Sequence, residues 1–223
     1  MNLLAIDTAT EMLSIAVSAG GRVHERSVHA AQRHAELIVG TIDALLAQAG
    51  IGVADLQGIA YGAGPGSFTG LRIACGVVQG LAAARGARVL GVSTLAAMAE
   101  AAGDARVVAC LDARMGEVYH AAFERRADSL HEVIPPGLSR PSEIPLPAGD
   151  CWIGCGAGFA AHREVLRARY GARLAALRPE IFPAATAILR LAAPRFAAGA
   201  GEDAAAAVPI YLRARVALKT SER

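Results

Sequence analysis

The stretch that most constrains this chain is Tyr61–Arg72, which reads Tyr-Gly-Ala-Gly-Pro-Gly-Ser-Phe-Thr-Gly-Leu-Arg. It follows a strand-like run at 58–61 and precedes a helical pattern from about Thr69 to Arg85. A glycine-rich turn between strand and helix can aim backbone N–H groups at an anion, and it sets an α/β arrangement for this part of the chain. Ser67 is placed to cap the helix, and Arg72 falls within its first turn. No Gly-Lys-Ser/Thr occurs, so the turn is not a Walker loop. Apart from Lys219, every basic residue is arginine. The body of the chain therefore offers no lysine for a phosphate clamp or a Schiff base.

The helix behind the turn is unusual. From Leu71 to Ala84 its polar side chains are chiefly Arg72 and Gln79, while Leu71, Ile73, Val77, Val78 and Leu81 surround the axis. A helix that is apolar all round needs cover on both sides. One side can pack on its own sheet. The other needs the helix expected over 31–49, which carries Ile38, Ile42, Leu45 and Leu46 on one face, or a second subunit. Leu37, Ile38 and Ile42 are accordingly the partner-binding candidates on the first helix. Leu71, Ile73, Val77, Val78 and Leu81 are those on the second.

Around this block the pattern is strand (2–7), strand (12–18), a Gly20-Gly21 turn, strand (22–28), helix, strand, helix, strand (88–92) and a short helix from Ser93 to near Gly103. Three antiparallel strands followed by alternating helix and strand predict a ribonuclease-H-like lobe over 1–104. The second half opens in the same way. A strand at Val107–Leu111 ends at Asp112, a turn follows at Ala113–Gly116, and then a strand at Glu117–Phe123. Placing Asp112 over Asp7 superposes the two patterns. A third strand near His131–Ile134, a proline-rich loop to Gly149, a strand at Trp152–Gly154 and helices near 159–170 and 184–198 complete a smaller lobe over 105–223. The fold class expected is α/β, the duplicated ribonuclease-H-like architecture of actin-like and sugar-kinase-like proteins, known as ASKHA.

In an ATPase of that architecture, each lobe places an acidic residue at its first strand–turn, and turns cradle phosphates through backbone N–H groups. Asp7, Thr8 and Thr10 hold that place in the first lobe and Asp112 in the second. Gly154, Gly156 and Gly158 form a turn where such proteins pass an adenosine. Tight-turn chemistry accounts for the same residues without any nucleotide. The net charge is only +2, which is not the footprint of a dedicated nucleic-acid binder. The cysteines, Cys75, Cys110, Cys151 and Cys155, form no Cys-x-x-Cys pair, and no His-x-x-x-His occurs among the six histidines. No metal site is expected. The N-terminus reads as no signal peptide and no segment as a membrane span, so a cytoplasmic protein is expected.

Taken in order, Ile6-Asp7-Thr8-Ala9-Thr10, Arg33-His34-Ala35-Glu36-Leu37, the Gly62–Arg72 block, Asp112-Ala113-Arg114-Met115-Gly116-Glu117-Val118-Tyr119 and Tyr211-Leu212-Arg213 closely resemble the TsaB (YeaZ) family. The resemblance covers nearly the whole chain. It implies a non-catalytic dimerisation or scaffold subunit that binds and activates the TsaD threonylcarbamoyltransferase. That enzyme acts in the N6-threonylcarbamoylation of the adenosine beside the tRNA anticodon. It also implies the TsaE ATPase as a further partner, tRNA contact through the complex, and self-association in isolation. Gly91–Met98 resembles a stretch of TsaD that carries two metal-holding histidines four apart, at positions where this chain has Thr94 and Met98. Neither side chain replaces an imidazole on a hard or borderline metal. No catalytic residue is assigned, and no cofactor is required by this chain. A nucleotide at the subunit junction stays an open alternative. An ATP-dependent kinase or ATPase using Asp7 and Asp112 is the competing reading, and a metallopeptidase is disfavoured by the missing histidines.

Overall fold

The structure, a computed structural model, describes residues 1–127 and 129–213. Two five-stranded sheets dominate it. In the first, β1 (Leu3–Asp7), β2 (Met12–Ala19) and β3 (Arg22–His29) form an antiparallel meander, and β4 (Gly58–Gly64) and β5 (Arg88–Ser93) extend it in parallel on the other side of β1. In the second, β6 (Arg106–Arg114), β7 (Glu117–Arg126) and β8 (Ser129–Ser139) form the meander, and β9 (Trp152–Cys155) and β10 (Leu174–Arg178) extend it. The order β3-β2-β1-β4-β5 is matched by β8-β7-β6-β9-β10. The repeat read from Asp7 and Asp112 is thus a repeat of topology, and the fold is the duplicated ASKHA architecture.

Local chemistry sets the element ends. The α1 helix (His34–Ala49) stops at Gly50, whose φ of 70° is left-handed. Ser67 caps α2 (Phe68–Arg85) by accepting the Gly70 N–H at 3.2 Å, and Gly86 ends it. Ser93 caps α3 (Thr94–Ala102) in the same way, accepting from Ala96. Beyond β9 the chain forms α4 (Ala157–Ala161) and α5 (Arg163–Tyr170), and later α6 (Ala185–Ala197).

Two helices cross between the halves. The first half's α3 packs on the second sheet, where Leu95, Met98 and Ala99 join Val107, Ala109, Ala121 and Phe123 in one core. The second half's α6 packs on the first sheet, where Ile188, Leu189 and Phe196 join Leu3, Ala5, Ala60 and Val92. The start of α6 is tied down by its Ala185 N–H, which donates to the Ser14 hydroxyl at 2.9 Å. Glu100 of α3 bridges Arg125 of β7 at 2.7 Å and Arg190 of α6 at 2.9 Å. The division at 104/105 therefore describes the sheets but not the packing, because α6 and the segment through Ile210 return to the first sheet. Sequence position alone cannot reveal such an exchange.

Three further differences have local causes. Strand β8 continues through Pro135 and Pro136, where a loop is expected; it is an edge strand, where a missing N–H costs no ladder bond. The helix expected over 159–170 is split at His162, whose φ of −126° breaks the helical path. Strand β10 carries no strong signal, being short, alanine-rich and half exposed.

Candidate functional site

The acidic turns of the two lobes are built alike. Asp7 Oδ1 accepts the Ala9 N–H at 2.9 Å, and Asp112 Oδ1 accepts the Arg114 N–H at 2.9 Å. Their surroundings differ. Asp7 and Thr8 are wholly buried beneath the glycine turn. The Thr8 hydroxyl donates to the Gly70 carbonyl at 2.7 Å, and the Ser67 N–H donates to the Ala9 carbonyl at 2.8 Å. A Cβ at Gly62 would lie 1.9 Å from Asp7 Oδ2, and one at Gly70 would lie 1.9 Å from the Thr8 carbonyl oxygen. These glycines exist because two loops of the same chain meet there. Asp7 Oδ2 has no hydrogen-bond partner among the described residues. Burial pushes its carboxyl up to about 7, against the Ala9 N–H, which pulls the other way.

Thr10 lies half-buried beside this turn, with its hydroxyl accepting the Met12 N–H. Asp112 is engaged by Arg114 at 3.2 Å and faces His162 at 3.6 Å. Gly154, Gly156 and Gly158 are buried, and a Cβ on Gly156 would meet the Met98 methyl at 2.1 Å and the Cys110 carbonyl at 2.5 Å. The candidate nucleotide-loop residues thus make internal contacts in each lobe, and Asp7 and Thr8 present no surface.

A second feature closes the same region. Residues 207–213 run as a strap from the first lobe to the second. Tyr61 donates its hydroxyl to the Val208 carbonyl, Gln79 donates to the Ala207 carbonyl at 3.0 Å, and the Ile210 N–H donates to the Ala63 carbonyl at 2.7 Å. Gly64 leaves the space the strap needs, since a Cβ there would sit 2.7 Å from the Ile210 carbonyl. Arg72 lies with its guanidinium 3.5 Å from the centre of the Phe68 ring and donates to the Tyr211 hydroxyl at 2.9 Å. Arg213 reaches the second lobe, pairing with Glu117 at 2.7 Å. The motif residues Phe68, Arg72 and Tyr211 therefore form one constellation, and Arg213, two residues on, fastens the strap to the second lobe. Nothing in their spacing signals that they meet.

The expected partner-binding set divides. Ile38, Ile42, Leu71 and Val78 are almost fully buried in the core of the first lobe, so they present no face to a partner. That expectation is corrected: the sheet takes these side chains. Leu37, Ile73, Val77 and Leu81 are half-buried at the rim of the same core. The outward side of α2 from Gly76 to Ala84 is made chiefly of small residues, and that of α1 mixes small residues with the exposed Glu36, Asp43 and Gln48. Val39, Gly40, Ala44 and Ala47 of α1 are exposed, as are Gly76, Gly80, Ala83 and Ala84 of α2. Cβ atoms at Gly40, Gly76 or Gly80 would meet nothing within 4 Å among the described residues. Among the described residues nothing stands against α2 at Gly76 or Gly80.

With this geometry in view, the relatives decide the family. The protein TsaB of Escherichia coli strain K12, described as a tRNA threonylcarbamoyladenosine biosynthesis protein, is 35% identical over 98% of this chain and 97% of its own. The chain belongs to the TsaB family. The TsaB of Haemophilus influenzae is 34% identical over 98% of this chain and 96% of its own. A family model described as "TsaD: tRNA N6-adenosine threonylcarbamoyltransferase" matches residues 13–214. Among solved structures, YeaZ from Pseudomonas aeruginosa superposes with a TM-score of 0.88 at 38% identity, covering 95% of this chain and 99% of that one. Membership places the chain in tRNA threonylcarbamoyladenosine biosynthesis.

The metal of the wider family does not fit here. Thr94 and Met98 are fully buried, and Met98 is packed in the core beside Gly156. Among the described residues no group of three or more His, Cys, Asp or Glu side chains is arranged to hold a metal. No helix among them is long and apolar enough to cross a membrane.

Proposed function

We propose that this chain is a non-catalytic subunit that docks onto a TsaD threonylcarbamoyltransferase through α1 and α2 and holds it in its active form. Cytoplasmic action, the TsaE ATPase as a further partner, tRNA contact within the complex and self-association when alone belong to the same reading. The observation that carries it is the exposed, small-residue face of α2 at Gly76 and Gly80 beside that of α1 at Gly40 and Ala44. Small residues let helix backbones approach closely, and such a face gains most when another helix covers it. The buried Thr94 and Met98 support the non-catalytic part, since they leave no imidazole for a metal.

The competing ATPase reading draws no support from Asp7 and Thr8, which are enclosed by the chain's own glycine turn. A nucleotide at the subunit junction would have to use other groups. Co-purification with the TsaD subunit tests the proposal. Gly76→Glu and Gly80→Glu, whose side chains enter open space, should keep the fold and lose the partner. A stable complex with either variant would overturn the assigned face.

A further inference from the structure

The segment from Arg163 to Arg173 holds four basic residues in eleven, Arg163, Arg167, Arg169 and Arg173. Arginines nearby are engaged: Arg106 with Glu124, Arg125 and Arg190 with Glu100, and Arg178 with Asp104. Arg169 turns to the far side of α5, where its Nε donates to the Ile144 carbonyl at 3.0 Å. Arg163, Arg167 and Arg173 are exposed and have no carboxylate within ion-pair distance among the described residues.

Arg163 and Arg167 stand one helical turn apart, so they share a face of α5. That face lines a cavity of about 300 Å³, closed on the other side by Gly171 and the strand residues Leu174–Leu177. Strand β10 is the last in its sheet, so its outer edge has backbone groups without a strand partner among the described residues. Glu164, the acidic residue of α5, lines a separate groove with Val165 and Arg169 and makes no ion pair with Arg163 or Arg167. Unpaired guanidinium forks beside an unpaired backbone edge suit phosphate oxygens, which Arg grips in a bidentate way. The cations run from the start of α5 to the start of β10 rather than converging on one point. A polymer backbone matches that spread better than a single anion.

We infer that the Arg163–Arg167 face of the second lobe is a direct contact for the phosphate backbone of tRNA. This rests on the reading of the chain as part of a tRNA-modifying complex. The near-neutral total charge does not oppose it, because the remaining arginines are largely balanced or scattered.

The test is fluorescence anisotropy of an end-labelled, unmodified tRNA transcript with the full chain, alone and with the TsaD subunit, across a salt series. R163Q/R167Q should weaken binding roughly tenfold at low salt and lower the slope of log Kd on log salt by about 2. R163K/R167K should keep most of the affinity, and R22Q, on the exposed edge strand of the first lobe, should change nothing. Unchanged affinity and slope in R163Q/R167Q would overturn the inference. So would a wild-type chain that binds no tRNA in either form, or one that binds polyglutamate as tightly as tRNA of equal charge. Co-purification with TsaD is read in parallel. Its failure for the wild type tells against the proposed function, and the tRNA result on the isolated chain then still decides this inference.

Discussion

The Thr8 hydroxyl donates to the Gly70 carbonyl at 2.7 Å, joining the first strand–turn to the first turn of α2. Both residues are buried, so the contact is internal to the chain. Gly70→Ala would put a methyl group 1.9 Å from the Thr8 carbonyl. We expect a loss of about 2 kcal/mol or more in urea unfolding, as for overpacked cores. Gly76→Ala, in open space on the same helix, should stabilise by up to about 1 kcal/mol.

Asp7 should make stability depend on pH. Its carboxyl ordinarily titrates at 3.8, and in the folded chain burial raises it to about 7. Between those values the folded state binds a proton that the unfolded chain has released, so stability falls as pH rises through this window and levels off above it. The full loss is of the order of 4 kcal/mol. Asp7→Asn should flatten the curve, leaving wild type the less stable form at pH 8. Urea melts of both proteins from pH 4 to pH 8 check this, and parallel curves would count against the buried carboxyl.

The strap should loosen when its exposed clasp is cut. Arg72 contacts both Phe68 and the Tyr211 hydroxyl. Arg72→Ala removes a cation–π contact and a hydrogen bond worth about 1 kcal/mol together at an exposed site. The Ile210 amide, bonded to Ala63, should then exchange with deuterium roughly fivefold faster, with the core amides unaffected.

Glu100 should behave as a shared anchor. Its side chain is only 10% exposed while it holds Arg125 and the more open Arg190. Glu100→Gln should cost about 1–3 kcal/mol, most of it through Arg125. In a double-mutant cycle, Glu100→Gln with Arg125→Gln should show larger coupling than Glu100→Gln with Arg190→Gln.

Calorimetry with ATP and Mg²⁺ should give no saturable heat with the isolated chain. Micromolar binding would revive the ATPase reading.

Much of the fold was legible because its signals are local. Gly50, Gly86 and Gly103 mark helix ends, Ser67 and Ser93 mark helix starts, and alternation marks β2. The Asp7–Asp112 repeat was legible for the same reason. The candidate site was harder to read because its logic is contact between distant segments. Apolar residues at 38, 42, 71 and 78 look the same in sequence whether a sheet or a partner covers them; here the sheet does. The exposed face of α2 is written in glycines, which carry no hydrophobic signal. Tyr211 meets Arg72 across 139 positions, a pairing no periodicity encodes.

The crossing of α3 and α6 changes what the duplication means for the molecule. Each half lends the other a helix, so a cut at the repeat boundary would strip an apolar cover from both sheets at once. Neither half is a portable module. The chain should melt in one cooperative step, and the two halves expressed apart should recover a native fold only when mixed.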